Sequence, residues 1–186
     1  MICNIEECQL KSLKIITPFF IEDERGFFLK SFERDVFGSY GLENVISEDF
    51  ESFSYKNVIR GMHFQTNNPQ IKMVRVVTGE IMDVAVDLRK DSPTFGMWES
   101  VILSQDNHKI FWIPAGFAHG FKVLSESAIV SYKCIGKYDK ETDTGIYWND
   151  DDLKIDWEIH SEDAIVSLKD NSLMTLKEFK NRFGGL

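Results

Sequence analysis

Short segments rich in β-branched and aromatic residues recur along most of this chain, and they constrain its fold more than any other feature. Turn-forming groups of Asn, Asp, Ser, Pro and Gly separate them, as at 67–69, 78–79, 91–93 and 105–107. Many short strands at this spacing are typical of an all-β sandwich or barrel. The predicted strands cover residues 27–32, 52–59, 72–78, 81–88, 98–104, 109–113, 120–124 and 128–134.

The tail of the chain follows a different pattern. Apolar residues from Leu173 to Phe183 have helical spacing, Thr175 and Glu178 have the spacing of a capping box, and glycines 184 and 185 would end the helix. We therefore predict one short C-terminal helix that covers the barrel.

Size and charge narrow the possible functions. The 186 residues predict one domain over 1–186, and the net charge of -9 argues against nucleic acid as a partner. No segment approaches the ~20 apolar residues of a membrane span, so we expect no membrane partner. The cysteines Cys3, Cys8 and Cys134 are unpatterned and no N-terminal apolar run resembles a signal peptide, so we expect a reducing cytoplasm. An anionic ligand would need a local cluster of cations, for which the candidates are Arg25, Arg60, Lys72, Arg75 and Arg89.

Strand alternation assigns several polar side chains to a face. In 128–134, Tyr132 shares the inward side with apolar residues, and in 81–88 Asp83 and Asp87 share a face with apolar residues. An inward Asp needs a His or Arg partner. A regular pleat would put Arg60 and His63 on opposite faces, and a bulge at the glycine between them would re-aim one of the two.

Two segments resemble the half-motifs of a cupin barrel: 60–65 followed by Lys72 and Gly79, and the Pro-x-Gly-x-x-His run 114–119. A metal-binding cupin would offer a second His where this chain has Gln65, and a Glu near the position of Lys72. An ammonium adds repulsion beside a divalent cation. We therefore predict a cupin-like double-stranded β-helix, or jelly roll, with no metal and no cofactor. His63, Lys72 and His119 remain, and they suit proton abstraction beside a carbonyl.

Each residue also has a purely structural explanation. A lone His63 would more often be a hydrogen-bonded core or surface histidine, and Tyr132 is as readily a packed strand aromatic. Asp170 alone is most simply a turn or cap residue. Structural roles stay open in the same way for Asp83, His119, Arg60 and the turn at 114–119.

Many ordered blocks of the chain share the pattern of one protein family, namely 23–28, 60–65, 70–76, 79–89, 92–96, 112–121, Tyr132, 148–150 and 167–170. Through these blocks the chain resembles, across nearly its whole length, the dTDP-4-dehydrorhamnose 3,5-epimerase family. This family comprises metal-free jelly rolls, usually homodimers, that invert the carbons flanking the 4-keto group of nucleotide-diphosphate sugars for surface polysaccharides.

The resemblance implies a role for each matching residue. His63 is the base with Asp170 as its partner, Lys72 stabilises the enolate, and Tyr132 is the acid on the opposite face. A fixed cation lowers the cost of a developing enolate oxygen, which suits Lys72 to this role. Diphosphate or sugar contacts are implied for Arg25, Arg60 and His119, with Asp83 behind His119. We also predict substrate contacts for Phe28, Glu48, Gln65 and Tyr138.

Three departures from the family pattern concern the nucleotide. The family commonly has Glu at Lys30, Gln at Glu48 and Asn at Phe50. A carboxylate such as Glu48 can accept the paired N–H donors of a guanine edge. A dTDP-linked hexose and a GDP-linked hexose or heptose therefore both stay open.

Rival functions remain as alternatives. A C3-only epimerase is the alternative within the enzyme class. A metal-dependent cupin would need at least three convergent ligands, and a catalytically inactive sugar-binding jelly roll would have no need of His63, Lys72, Tyr132 and Asp170 together.

Overall fold

The computed structural model describes residues 4–42 and 45–186. The strands are β1 (Asn4–Glu7), β2 (Lys14–Thr17), β3 (Phe19–Asp23), β4 (Gly26–Lys30), β5 (Glu48–Tyr55), β6 (Val58–Gln65), β7 (Ile71–Thr78), β8 (Glu80–Asp87), β9 (Trp98–Ser104), β10 (Ile110–Ile113), β11 (Phe117–Val123), β12 (Ser127–Ile135), β13 (Asp143–Gly145) and β14 (Ile165–Val166). The helices are α1 (Arg34–Ser39), α2 (Leu168–Asn171) and α3 (Leu176–Phe183), with a 3-10 turn at Ser161–Asp163.

Two large sheets form the body of the molecule. The first has the order β1-β2-β10-β7-β12-β5, and the second has the order β13-β6-β11-β8-β9, with β14 added in parallel to β6. All other neighbours in these sheets are antiparallel, and β3 and β4 form a separate hairpin. The predicted all-β, cupin-like jelly roll is confirmed.

Apolar side chains fill the space between the sheets and cover both outer faces. Between the sheets, Val74 and Val130 of the first sheet join Ala85 and Phe121 of the second in one buried cluster. The tail covers the outer face of the second sheet, where Phe179 of α3 is fully buried. The segment that includes α1 covers the outer face of the first sheet.

The C-terminal helix ends as predicted. Thr175 and Glu178 form a capping box at its start, and Gly184 adopts a left-handed conformation, with φ of 74°, at its end.

No helix in the described ranges is both long and apolar enough to cross a membrane. Cys8 and Cys134 are free thiols, whereas Cys3 lies outside the described residues.

Several predicted strand limits are wrong. The predicted strand 52–59 is a hairpin, because Asn57, with φ of 64°, turns the chain between β5 and β6. The predicted strand 27–32 ends at Lys30 and pairs only within its hairpin. The predicted strand 120–124 begins earlier, at Phe117, so His119 lies in β11 instead of in a turn.

Candidate active site

A cavity of about 380 Å³ opens between the two sheets. The second sheet contributes His63 and His119, and the first contributes Lys72 and Tyr132. The predicted site residues that line the cavity are Glu48, Arg60, His63, Lys72, His119, Tyr132 and Tyr138. The structure therefore brings together side chains that are up to 90 positions apart in the chain, from Glu48 to Tyr138.

His63 is held from behind by a buried carboxylate. Its Nε2 lies 2.8 Å from Oδ1 of Asp170, and the Gly61 N–H donates to Asp170 Oδ2 at 3.2 Å. Ser167 caps α2 by accepting a hydrogen bond from the Asp170 N–H, which fixes the position of the carboxylate. Burial alone would raise the pKa of Asp170, but the hydrogen bonds from His63 and Gly61 outweigh it and lower that pKa.

The tautomer of His63 follows from this arrangement. An ionised Asp170 can only accept hydrogen bonds, so Nε2 of His63 carries the proton and Nδ1 has a free lone pair. The ring is partly exposed, and it lines the cavity. His63 is therefore arranged as a proton acceptor.

An irregularity at Gly61 brings Arg60 and His63 to the same cavity, a point that strand alternation alone left open. Between β6 and β11 the register shifts, because His63 pairs with His119 but Arg60 pairs with Phe121. Gly61 has a φ of +136°, a backbone conformation that glycine adopts readily and other residues rarely adopt. The Arg60 guanidinium then donates to the Ser54 hydroxyl at 2.9 Å.

Lys72 extends from β7 across the cavity. Its Nζ donates to the carbonyl oxygen of His63 at 3.4 Å, which holds the ammonium beside the base. Burial lowers the pKa of Lys72, although the carboxylate of Asp143 opposes that shift. The lysine is thus a cation kept partly free of water.

Tyr132 points inward from β12, as the alternation predicted, with 8% of the residue exposed. Burial raises the pKa of its phenol. The phenol therefore keeps its proton at neutral pH and is available as a donor.

His119 and Asp83 form a buried pair behind the cavity, with His119 Nε2 at 2.6 Å from Asp83 Oδ1. The predicted partner for an inward Asp83 is thus a histidine. Burial lowers the pKa of His119 and raises that of Asp83, so the uncharged forms are favoured. The other inward carboxylate, Asp87, forms an ion pair with Arg89. Arg89 therefore stabilises a turn that lies outside the cavity.

Three predicted substrate contacts lie outside this cavity in the single chain. Arg25 and Phe28 belong to the β3–β4 hairpin, where the Arg25 side chain is 84% exposed and pairs with Asp23. Gln65 is buried, and its amide bonds the backbone of Asn68, Lys137 and Asp139, so it holds two loops together. Their contacts with substrate stay predictions.

The sequence reasoning missed polar residues at the rim. Gln70 donates to Glu48 Oε2 at 2.7 Å and to the carbonyl of Gly136 at 2.9 Å. Asp143 lines the cavity and pairs with Lys169 at 2.8 Å. The adjacency of Lys169 to Asp170 was a usable signal, but nothing local pointed to Asp143.

The described residues hold no group of three or more His, Cys, Asp or Glu side chains arranged to bind a metal ion. What the cavity does hold is a base with a fixed tautomer, a cation and a protonated phenol. Together these groups can remove a proton beside a carbonyl, stabilise the resulting oxyanion and return a proton from a different direction.

Comparison with known proteins identifies the family. The sequence profile of the dTDP-4-dehydrorhamnose 3,5-epimerase family matches residues 7–178. The dTDP-4-dehydrorhamnose 3,5-epimerase of Methanothermobacter thermautotrophicus is 50% identical over 165 residues, which cover 88% of this chain and 89% of that protein.

Comparison with solved structures supports the same family. The dTDP-6-deoxy-D-glucose-3,5-epimerase RmlC from Legionella pneumophila Philadelphia 1, in complex with dTDP-4-keto-L-rhamnose, superposes with a TM-score of 0.90 at 44% identity, covering 94% of this chain and 93% of that one. ChmJ, a 3'-monoepimerase from Streptomyces bikiniensis in complex with dTDP-quinovose, gives a TM-score of 0.86 at 26% identity, covering 94% of this chain and 89% of that one. The chain therefore belongs to the dTDP-4-dehydrorhamnose 3,5-epimerase family, and it is an epimerase of the isomerase class with a cupin-like fold.

Proposed function

We propose that this protein inverts both C3 and C5 of a dTDP-linked 4-keto-6-deoxy sugar. The observation that carries the proposal is that His63, paired with Asp170 of α2, lies on one sheet while Tyr132 lies on the other, at the same cavity. The ligand of the Legionella relative, dTDP-4-keto-L-rhamnose, supports the substrate class.

The reaction begins at the base. Nδ1 of His63 takes the proton from the carbon beside the ketone, and the electron pair of that C–H bond forms the carbon–carbon double bond of an enolate. Asp170 stabilises the imidazolium that results. The Lys72 ammonium stabilises the enolate oxygen, which is the largest electrostatic demand of the step.

Inversion requires a proton from the other face. The Tyr132 phenol donates that proton to the carbanionic carbon, the ketone reforms, and exchange with solvent returns His63 and Tyr132 to their starting protonation states. The same steps act at C5 and at C3. No redox change occurs, and we propose that neither a metal nor a cofactor takes part.

The diphosphate needs cations near the cavity. Arg60 lines the cavity, and Lys169 lies at its rim through its ion pair with Asp143. We propose that these cations meet the diphosphate and that Tyr138, which is 46% exposed, contacts the nucleobase. Because Glu48 also lines the cavity and keeps one oxygen clear of Gln70, GDP is the alternative nucleotide.

We propose that the chain acts as a homodimer in the cytoplasm. The β3–β4 hairpin exposes large apolar side chains to solvent, since Ile21 is 54%, Phe27 63% and Phe28 53% exposed. A second copy of the chain that packs against this hairpin would also place Arg25 and Phe28 close to a substrate cavity. The free thiols of Cys8 and Cys134 suit a reducing compartment.

Isotope exchange tests the chemistry. The enzyme, pretreated with EDTA, is mixed with dTDP-4-keto-6-deoxyglucose in deuterated water, and NMR follows deuterium and configuration at C3 and C5. We expect deuterium and inversion at both carbons. Deuterium at C3 alone would instead identify a C3-only epimerase, and activity that EDTA abolishes and zinc, iron or manganese restores would refute the metal-free mechanism.

Two variants separate the proposed roles. His63→Asn removes the base, so exchange should fall by about 10²–10⁴-fold at both carbons. Tyr132→Phe keeps the ring, so deuterium should still enter through His63 with retained configuration while inversion falls by orders of magnitude, at C5 at least. Matched controls are His160→Asn and Tyr55→Phe, which alter exposed residues outside the cavity. Near-normal exchange in His63→Asn, or unchanged inversion in Tyr132→Phe, would contradict the assignment.

A further inference from the structure

Phe50 stacks directly on the ring of Tyr132. The two residues are opposite each other in the β5–β12 register, and their ring centroids are 4.8 Å apart with an interplanar angle of 15°. The Tyr132 ring also contacts the His119 ring edge-on, with ring centroids 6.1 Å apart and an interplanar angle of 74°. The phenol is therefore contacted by two flat rings from different sheets.

The exposure of the stacked pair is unequal. Phe50 is 47% exposed and Tyr132 only 8%, although both line the cavity. Phe50 thus forms an apolar layer between the phenol and solvent at the cavity mouth. Because His119 is fixed by its bond to Asp83, Phe50 completes the restraint on the tyrosine ring from the open side.

We propose that Phe50 is a positioning residue that holds the Tyr132 ring in the orientation for proton donation. Phe50 carries no exchangeable proton, so it acts through Tyr132. The inference rests on the proposed function of Tyr132 as the acid. Stacked aromatic pairs prefer an offset parallel geometry, so loss of the Phe50 ring frees the phenol to tilt.

Enolate partitioning makes this role measurable. After His63 has removed a proton, the enolate either regains a solvent-derived proton from His63, which keeps the configuration, or receives one from Tyr132, which inverts it. Both products come from one bound intermediate, so a change in substrate affinity or in enolate formation cancels in their ratio. Only a change at the donor alters the ratio.

The experiment measures inversion and retained deuterium wash-in for Phe50→Ala, Phe50→Leu and Phe50→Tyr. A displacement of 1 Å costs about 10²-fold, so we expect Phe50→Ala to lower the inversion-to-exchange ratio by about 10-fold or more. Phe50→Leu keeps apolar bulk without the stack and should also lower the ratio. Phe50→Tyr restores the stack and should restore the ratio.

Phe53→Ala is the matched control. Phe53 lies on the same strand and is 52% exposed, but it faces away from the cavity, where it meets Tyr55, so the ratio should not change. An unchanged ratio in both Phe50→Ala and Phe50→Leu, even with a raised KM, would overturn the role of Phe50. A lack of exchange in the unaltered protein would instead overturn the proposed function, so the two failures are distinguishable.

Discussion

Replacing Gly61 with alanine tests how the bulge in β6 builds the site. A Cβ at this position would lie 2.5 Å from the Cα of Gly120 and 2.9 Å from the carbonyl oxygen of His119, and both are backbone atoms. Neither atom can rotate away as a side-chain tip does. The backbone of β6 or β11 must therefore move, and an ordinary contact of about 3.5–4.0 Å requires a shift of about 1 Å.

The expected loss of stability in Gly61→Ala has two contributions. A side chain at a φ of +136° costs about 1–3 kcal/mol of backbone strain. Overpacking against fixed neighbours adds about 1–3 kcal/mol, so the free energy of unfolding should fall by about 2–6 kcal/mol. Because the shift moves Arg60 and His63 relative to each other, proton exchange should fall by about 10²-fold.

Gly26→Ala separates the two parts. Gly26 has a φ of +111° but nothing within 4 Å of an added Cβ, so only the backbone strain applies. Urea unfolding gives the free energy of each variant. If Gly61→Ala loses no more stability than Gly26→Ala, and its exchange rate is normal, then the close approach of β6 and β11 does not set the geometry of the site.

Three further outcomes are expected. Burial would raise the pKa of Asp87, but hydrogen bonds from Arg89 and neighbouring hydroxyls lower it from 3.8 to about 2. Asp87→Asn should therefore cost about 2 kcal/mol at pH 7 by urea unfolding, a difference that disappears as the pH falls from 4 to 2. Because burial lowers the pKa of Lys72, exchange should decline at alkaline pH with a midpoint below 10.5, and Lys72→Arg should move that midpoint upward, whereas Lys140→Arg, at an exposed lysine outside the cavity lining, should not. In thermal unfolding dTDP should protect the protein more than GDP does at equal concentration, and the reverse would show that Glu48 selects guanine.

Local patterns were enough to predict much of this molecule. The period-2 alternation in β12 correctly turned Tyr132 inward, because one face of the strand is apolar throughout. The cost of an unpaired buried carboxylate likewise predicted partners for Asp83 and Asp87, which are His119 and Arg89. These are features that nearest neighbours and burial determine.

Other features depend on register and topology, which the sequence does not display. The turn at Asn57 has no Gly or Pro to mark it, so two strands were predicted as one. Asp143 reaches the cavity because β13 pairs with β6, and a strand of three residues such as β13 has too little periodicity to be recognised from the sequence. The stack of Phe50 on Tyr132 follows from the pairing of β5 with β12, which neither segment specifies alone.

The charge balance of the cavity explains how an acidic chain can hold an anionic sugar nucleotide. The net charge of -9 repels such a ligand at long range, where salt screens the field. At short range, both buried carboxylates beside the cavity are already engaged, since Asp170 binds His63 and the Asp83–His119 pair favours its uncharged form. Neither acid therefore neutralises Lys72, whose ammonium bonds only a carbonyl oxygen among the contacts described. Under the proposed function, this free positive charge stabilises the enolate oxygen and so favours the intermediate over the ketone.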